Sequence, residues 1–141
     1  VLYPFAYHSD SQDIVIVQIN PLNCQETPRA ARDILNRVNE ITFNASLLHE
    51  LRAIDFVARM LDEGSLDPER YRKMLVHVIA DEKGFQNLNA SSKMNTEWEF
   101  LDHLHNLGYR AADDWLGVNF ERLGKSSSVN VRGLLHGCSR S

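Results

Sequence analysis

The sequence predicts a helix-rich α/β fold with about two strands. Apolar residues follow one another without strict alternation in Asp13–Asn20, and β-branched residues recur in Met74–Ala80, so both runs are typical of strands. The other segments mostly show the spacing of helices. A strand that is apolar on both faces needs neighbours on both edges and cover on both faces. We therefore expect the sheet to extend beyond this chain.

The longest predicted helix spans Pro28–Glu63. Thr27 is a suitable N-cap, Pro28 suits the first helical position, and Gly64 is a natural residue after the helix end. An unbroken helix of this span would be roughly 54 Å long, whereas a compact chain of 141 residues is only about 37 Å across. The helix is therefore expected to bend, to break or to lie across a larger body. Its apolar residues form two offset stripes: Ala31, Ile34, Leu35, Val38, Ile41, Ala45 and Leu48, then Leu47, Leu51, Ile54, Ala58 and Leu61.

The second half of the chain is predicted to be mainly helical. The expected elements are a short helix over Asp67–Tyr71, a short helix and turn within Leu88–Met94, helices over Thr96–Leu107 and Tyr109–Leu123 ended by Gly108 and Gly124, and a short strand or last helical turn at Val129–Leu135. The residues predicted to face inward are Trp98, Leu101, His105 with Leu104 or Leu107, and then Ala111, Ala112, Trp115, Leu116 and Phe120.

Composition narrows the class of protein. The chain has 141 residues, of which 43% are hydrophobic, enough for one domain with a core. A net charge of −4 without a basic cluster argues against nucleic acid as a partner. No run approaches the roughly 18 apolar residues of a transmembrane helix. Cys24 and Cys138 form neither a disulfide framework nor a zinc pattern, which indicates a reducing compartment.

The run Gly124-Lys125-Ser126 resembles the end of a phosphate-binding loop. Such a loop needs another glycine five residues before Gly124, but the preceding one is Gly117, seven residues back, within a predicted helix. The run therefore favours a helix end followed by a polar loop.

The histidines suggest chemistry only weakly. Glu99 and His103 share one side of a predicted helix and could hold a metal, but no second pair completes a site, and a solvated pair is favoured. His77 lies within the second strand, where a hydrogen-bonded core histidine is favoured over a catalytic residue or a ligand. No Gly-x-Ser-x-Gly occurs. We assign no catalytic, cofactor-binding or metal-binding residue in this chain and predict no cofactor.

One family resemblance covers nearly the whole chain, with its elements in the family's order. The segments that carry it are Asp13–Pro21, Thr27–Ile54, Ala90–Asn95, Trp98–Leu101, Gly108, Ala111–Ala112, Trp115–Leu116 and Phe120. They resemble the C-terminal half of bacterial patatin-like phospholipases. The resemblance implies a lipid acyl hydrolase on a patatin-type sheet-and-helix fold, in which a Ser–Asp dyad hydrolyses a carboxylic ester. The serine of that family sits in a Gly-x-Ser-x-Gly elbow and the aspartate in an Asp-Gly motif. Both motifs, and the glycine-rich oxyanion loop, are expected upstream of Val1.

Residues 1–141 are therefore expected to be the C-terminal part of a patatin-like α/β hydrolase domain whose catalytic half is absent. The chain would supply a strand and the helices that cover the sheet. Its expected partners are the N-terminal catalytic half of the same parent and a lipid or acyl-ester substrate. The expected location is cytoplasmic, with contact at the membrane periphery left open.

Two hypotheses from other classes remain open at this point. The chain could be a helical protein-interaction module without enzymatic activity, which binds a partner through the long helix. It could also be a small enzyme in its own right that uses His77 or another histidine.

Overall fold

In the computed structural model, the chain is a helix-rich α/β structure with a two-stranded parallel sheet. The structure describes residues 2, 9–19, 29–85, 88 and 92–137. Its elements are β1 (Asp13–Gln18), α1 (Ala31–Asp62), β2 (Leu75–Ala80), α2 (Glu82–Phe85), a 3-10 turn (Ser92–Met94), α3 (Trp98–Asn119), a second 3-10 turn (Phe120–Arg122) and α4 (Val131–Gly137). Both predicted strands are therefore confirmed, with ends shifted by one or two residues.

The two strands form a βαβ unit. Asp13 of β1 is in register with Leu75 of β2, and the pairing continues to Gln18 and Ala80. Parallel strands cannot be joined by a tight turn, and here the crossover carries α1. The parallel pairing places the carboxyl ends of both strands at the same edge of the structure.

Each strand leaves its outer edge partly open. On β2, Val76 is covered, because its N–H donates to Ser127 Oγ (3.0 Å) and its carbonyl accepts from the N–H of Ser128 (3.2 Å). By alternation, the backbone of Val78 and of Ala80 points to the same side. Within the described part of the chain, no hydrogen bond reaches them on that side.

The outer edge of β1 has the same character. The Ser11 hydroxyl bonds the backbone of Asp13 (3.1 and 3.3 Å). Beyond it the backbone of Val15 and Val17 faces outward, again without a hydrogen-bond partner among the described residues. The Val17 side chain is 67% exposed. Further strands could therefore pair with either edge of the sheet, and the exposed side chain of Val17 leaves part of one face uncovered.

Helix α1 is unbroken over 32 residues, or roughly 48 Å. The prediction that Gly64 follows its end is confirmed: Gly64 has φ +70°, and the N–H groups of Gly64 and Ser65 donate to the carbonyls of Leu61 (3.1 Å) and Met60 (2.8 Å). The predicted start at Thr27 and Pro28 lies outside the described residues.

The two predicted stripes of α1 have different surroundings. The second stripe packs inward, with Leu51 only 1% exposed. The first stripe leaves Ile34, Val38 and Ile41 exposed. The amino-terminal half of α1 thus turns an apolar side to solvent.

Three predictions about the second half are wrong in detail. Residues 67–71 form one turn, not a helix: the Asp67 carbonyl accepts from Tyr71 (2.9 Å), its carboxylate accepts from the N–H of Glu69 (2.9 Å), and no further turn follows. Gly108 does not end a helix, because α3 runs through it to Asn119. The half-buried residues on either side of it, Leu104, Leu107 and Ala111, continue the helix through a glycine that costs roughly 1 kcal/mol in a helix interior.

The third error concerns which side of α3 faces inward. Five of the residues predicted to face inward are exposed: Trp98, Leu101, His105, Leu116 and Phe120. The predictions for Leu104, Leu107, Ala111, Ala112 and Trp115 are confirmed, since all are half-buried. Of the two alternatives for residues 129–135, the helical one is confirmed by α4.

Part of the segment predicted as a short helix and turn, Leu88–Met94, is the 3-10 turn Ser92–Met94, and residues 89–91 lie outside the described part. Helix α2 has no counterpart among the predicted elements. No described helix combines the length and the apolar content needed to cross a membrane.

Candidate functional site

His77 is the most deeply enclosed polar residue of the sheet. Its side chain is 0% exposed, and Trp115 of α3 meets the ring edge-on, with centroids 5.7 Å apart. His77 Nε2 lies 2.9 Å from Oδ1 of Asp13 on the neighbouring strand. An ionised carboxylate can only accept, so Nε2 carries the proton and donates it. Nδ1 of His77 has no hydrogen-bond partner among the described residues.

Asp13 also receives the N–H of Gly124, which lies 2.9 Å from Oδ1 and 3.0 Å from Oδ2. This backbone donor is the main reason that the pKa of Asp13 falls below its ordinary value of 3.8. The hydrogen bond and the charge of His77 lower the pKa further, while partial burial of the carboxylate acts in the opposite direction. Asp13 therefore stays ionised and joins β1, β2 and the turn after α3.

The contacts of Asp13 and His77 join parts of the fold, and they leave His77 out of reach of a substrate. A general base must reach a proton of the substrate, but the ring of His77 is enclosed and its Nε2 is engaged by Asp13. The prediction of a satisfied core histidine is confirmed in part: His77 is buried and its Nε2 is bonded to Asp13, whereas its Nδ1 has no partner among the described residues. The same geometry argues against a small enzyme that uses His77.

The run Gly124-Lys125-Ser126 is a turn, as predicted. Gly124 has φ +71°, a left-handed conformation that favours glycine, and its N–H is directed at Asp13. The N–H groups of Lys125 and Ser126 both donate to the carbonyl of Arg122 (2.9 Å each). These three N–H groups are all used inside the chain and do not form a cradle for phosphate.

The other histidines are scattered. Glu99 and His103 are both exposed on α3, and His49 is exposed on α1. No group of three or more His, Cys, Asp or Glu side chains that could hold a metal occurs among the described residues. His8, Cys24, Cys138 and the side chain of His136 lie outside the described part.

An apolar groove lies at the carboxyl ends of the two strands, and its volume is about 620 Å³. In α/β sheets this end of the strands is where ligands commonly bind. One wall is the end of the sheet and the other walls come from α1, α3 and the segment around α2. The lining residues are Val17, Gln18, Ile19, Asn36, Asn39, Glu40, Phe43, Ile79, Ala80, Asp81, Phe85, Leu88, Ser92, Phe100, Leu104, Gly108 and Ala111.

The lining of the groove combines apolar surface with a few polar side chains. Phe43, Phe85, Phe100 and Leu104 offer aromatic and aliphatic surface, and α1 contributes amides and Glu40. Apolar pockets of this kind, with a few polar groups, are typical of small-molecule sites. The sequence did not reveal it, because the groove depends on the parallel pairing of β1 with β2. Two short strands alone do not indicate whether they pair in parallel.

A second cavity of about 870 Å³ lies at the opposite, amino-terminal ends of the strands. Its lining mixes apolar residues such as Ile54 and Leu61 with charged residues, and the side chains of Arg72 and Lys73 are bonded within the chain. Arg72 donates to the carbonyls of Ser9 (3.0 Å) and Asp10 (2.8 Å), and Lys73 binds Asp62 (2.7 Å). These cations hold the two ends of the βαβ unit together, so the apolar groove is the better candidate for a ligand site.

No protein-family model, curated protein or solved structure matches the chain. We therefore base the function on the chain's own residues and geometry.

Proposed function

We propose that this chain is the non-catalytic C-terminal part of a patatin-like lipid acyl hydrolase. The observation that carries the proposal is the incomplete sheet: within the described ranges, the outer backbone of its two parallel strands has no hydrogen-bond partner at Val15 and Val17 on one side and at Val78 and Ala80 on the other. Parallel sheets are normally covered on both faces, and isolated two-stranded sheets have marginal stability. Further strands from the parent would complete this one.

The apolar groove gives the chain a role in that enzyme. Ligands of α/β proteins bind beyond the carboxyl ends of the strands. There the groove would form a wall for the acyl chain, with Phe100 and Leu104 of α3 along its length. The parent's serine, activated by its aspartate, would attack the ester carbonyl, and backbone N–H groups would hold the oxyanion. No residue of this chain takes part in that step.

The partners of the chain under this proposal are the upstream catalytic half and a lipid or acyl-ester substrate. The location would be cytoplasmic, with contact at the membrane periphery during lipid hydrolysis.

A helical interaction module without activity is the second candidate. The observation that favours it is the exposed apolar side of α1 at Ile34, Val38 and Ile41. An amphipathic helix with its apolar side outward can lie in the groove of a partner protein.

The test is hydrolysis of a short-chain nitrophenyl ester and of phospholipid vesicles by the protein encoded by the complete reading frame. We expect an upstream Gly-x-Ser-x-Gly and Asp-Gly, and complete loss of hydrolysis when that serine is replaced by alanine. Leu104→Asp should raise KM for long acyl chains more than for short ones. Val118→Asp, at an exposed position of α3 that does not line the groove, is the matched control.

Either of two results would overturn the proposal. One is a reading frame without the serine motif. The other is ester hydrolysis by residues 1–141 alone that disappears in His77→Ala. A stable complex with one protein partner and no hydrolysis would support the interaction module instead.

A further inference from the structure

Strand β1 is covered on one face and uncovered on the other. Its side chains alternate, so Ile14 and Ile16 lie on one face, and Val15 and Val17 lie on the other. Ile14 is buried, whereas Val15 and Val17 are 48% and 67% exposed. Ile19 continues the alternation just past the strand and is exposed as well. We call the three β-branched side chains of Val15, Val17 and Ile19 the uncovered face of β1.

The same face of the neighbouring strand is covered. In the parallel register, Val15 lies beside His77 and Val17 beside Ile79, so all four share one face of the sheet. His77 is fully buried, with Trp115 of α3 against its ring, and Ile79 is half-buried. Helix α3 therefore covers β2 and leaves β1 uncovered. The uncovered face lies beside α3, where a parallel sheet normally carries a further helix.

The backbone of β1 indicates what kind of segment belongs at its outer edge. The N–H and C=O groups of Val15 and Val17 point away from β2, and no described residue bonds them on that side. A row of unpaired donors and acceptors along a strand is the template for another strand. The Ser11 hydroxyl already bonds the N–H (3.1 Å) and the C=O (3.3 Å) of Asp13. A further strand can therefore pair with β1 from Val15 onwards.

The outer edge of β2 has different surroundings. Ser127 Oγ accepts the N–H of Val76, and the N–H of Ser128 donates to the carbonyl of Val76, so the segment after α3 occupies the start of this edge. Within β2 only Ala80, its last residue, is exposed, and Val78 is half-buried. Unpaired backbone and uncovered apolar side chains therefore occur together at β1 and not at β2.

We propose that the sheet continues on the β1 side alone. A strand of the upstream catalytic half pairs with the outer backbone of β1 from Val15 onwards, and a helix of that half packs on the uncovered face of β1, beside α3. Strand β2 is then the last strand of the sheet. This inference rests on the proposed function for the origin of the added strand and helix, because it takes both from the same parent.

Amide hydrogen exchange of the protein encoded by the complete reading frame tests which edge is paired. The N–H groups of Val15 and Val17 should exchange at least about 100-fold more slowly than the N–H of Val78 on the other edge. The N–H of Ile14 faces β2 and is the internal control, since it should be protected whenever the sheet is formed. Free exchange at Val15 and Val17, or equal protection of the two edges, would overturn the proposal.

A charged side chain tests for the covering helix in the same complete protein. Val17→Asp should lower the melting temperature by roughly 10 °C, because the carboxylate would be enclosed without a partner. Val118→Asp adds the same charge at an exposed position of α3 and should shift it by roughly 1–2 °C at most. If Val17→Asp does not fold, Val17→Thr should show a smaller decrease in the same direction. Equal shifts at positions 17 and 118 would contradict the covering helix.

Neither experiment measures ester hydrolysis, so its failure and the failure of the proposed function can be told apart. Protected N–H groups at Val15 and Val17 in a protein that hydrolyses no ester would refute the proposed function and support the added strand. Hydrolysis by a protein in which these two groups exchange freely would support the proposed function and overturn the added strand.

Discussion

The imidazole of His77 donates from Nε2 to Oδ1 of Asp13 across 2.9 Å, and thereby joins the two strands of the sheet through their side chains. The N–H of Gly124 binds the same carboxylate, so one side chain fixes both strands and the turn after α3. The contact is long-range in sequence, which makes it informative about folding as well as about stability.

Asp13→Ala should destabilise the chain by about 2–3 kcal/mol, because it leaves the enclosed N–H of His77 without an acceptor. Urea unfolding, monitored by tryptophan fluorescence, measures this loss of stability, since Trp115 contacts His77. Asp13→Asn is the matched control: it keeps an acceptor oxygen, so its cost should be smaller. Equal costs for the two variants would contradict the hydrogen-bond account.

The stability that Asp13 contributes should depend on pH in the acid range. Its pKa is lowered on folding, mainly by the N–H of Gly124, so the ionised form favours the folded state. The stability difference between wild type and Asp13→Asn should be full above about pH 4–5 and should shrink as the pH falls through the lowered folded-state pKa. Free energies of unfolding of both proteins, measured from pH 7 to pH 2, give this stability difference as a function of pH. A difference that grows on acidification would contradict the assigned direction.

Proline substitutions in β1 should report which backbone groups are used. The N–H of Ile14 faces β2 in this register, so Ile14→Pro should cost about 3 kcal/mol or more. The N–H of Val15 faces the open edge, so Val15→Pro should cost the isolated chain much less. In the complete enzyme proposed above, Val15→Pro should instead prevent the sheet from forming, because a neighbouring strand needs that N–H. Equal effects of Val15→Pro in both settings would mean that nothing pairs with this edge.

Gly64, which has a left-handed backbone conformation, should not tolerate a side chain. Gly64→Ala should destabilise the chain by about 1 kcal/mol, since its φ of +70° is unfavourable for alanine although the space is open. Gly117→Ala is the contrast: Gly117 lies in α3, where a Cβ meets nothing within 4 Å, so alanine should stabilise by about 0.5–1 kcal/mol. Thermal unfolding of both variants tests the opposite signs.

Binding of a fluorescent fatty acid should locate the hydrocarbon site. Leu104→Asp places a carboxylate against the groove and should reduce affinity at least tenfold, because charge has to be desolvated there. Val118→Asp adds the same charge outside the groove and should bind as the wild type does. Fluorescence titration gives the dissociation constant of the fatty acid for each variant. Similar losses in the two variants would show that the fatty acid binds elsewhere.

The sequence predicted the elements better than their surroundings. Both strands, α1 with the glycine after its end and the turn at Gly124 follow from local signals: apolar runs, periodic stripes and glycine after a helix. Gly108 misled the prediction because α3 continues through it, with half-buried residues before and after it at Leu104 and Ala111, although glycine often follows a helix end.

The inward side of α3 could not be chosen from periodicity. The helix has two apolar sides, one with Leu104 and one with Trp98, and only the tertiary structure determines which one meets the sheet. The groove escaped prediction for a related reason, since it depends on the direction in which two short strands pair. The burial of His77, by contrast, follows from its position in an apolar strand, but the lack of a partner for its Nδ1 among the described residues does not.

The apolar side that α1 turns outward has a consequence for the life of the chain in a cell. Ile34, Val38 and Ile41 present to water the kind of surface that chaperones and proteases recognise on unfolded proteins. We therefore expect residues 1–141 to be degraded faster in a cell when the apolar side of α1 is left uncovered than when it is covered.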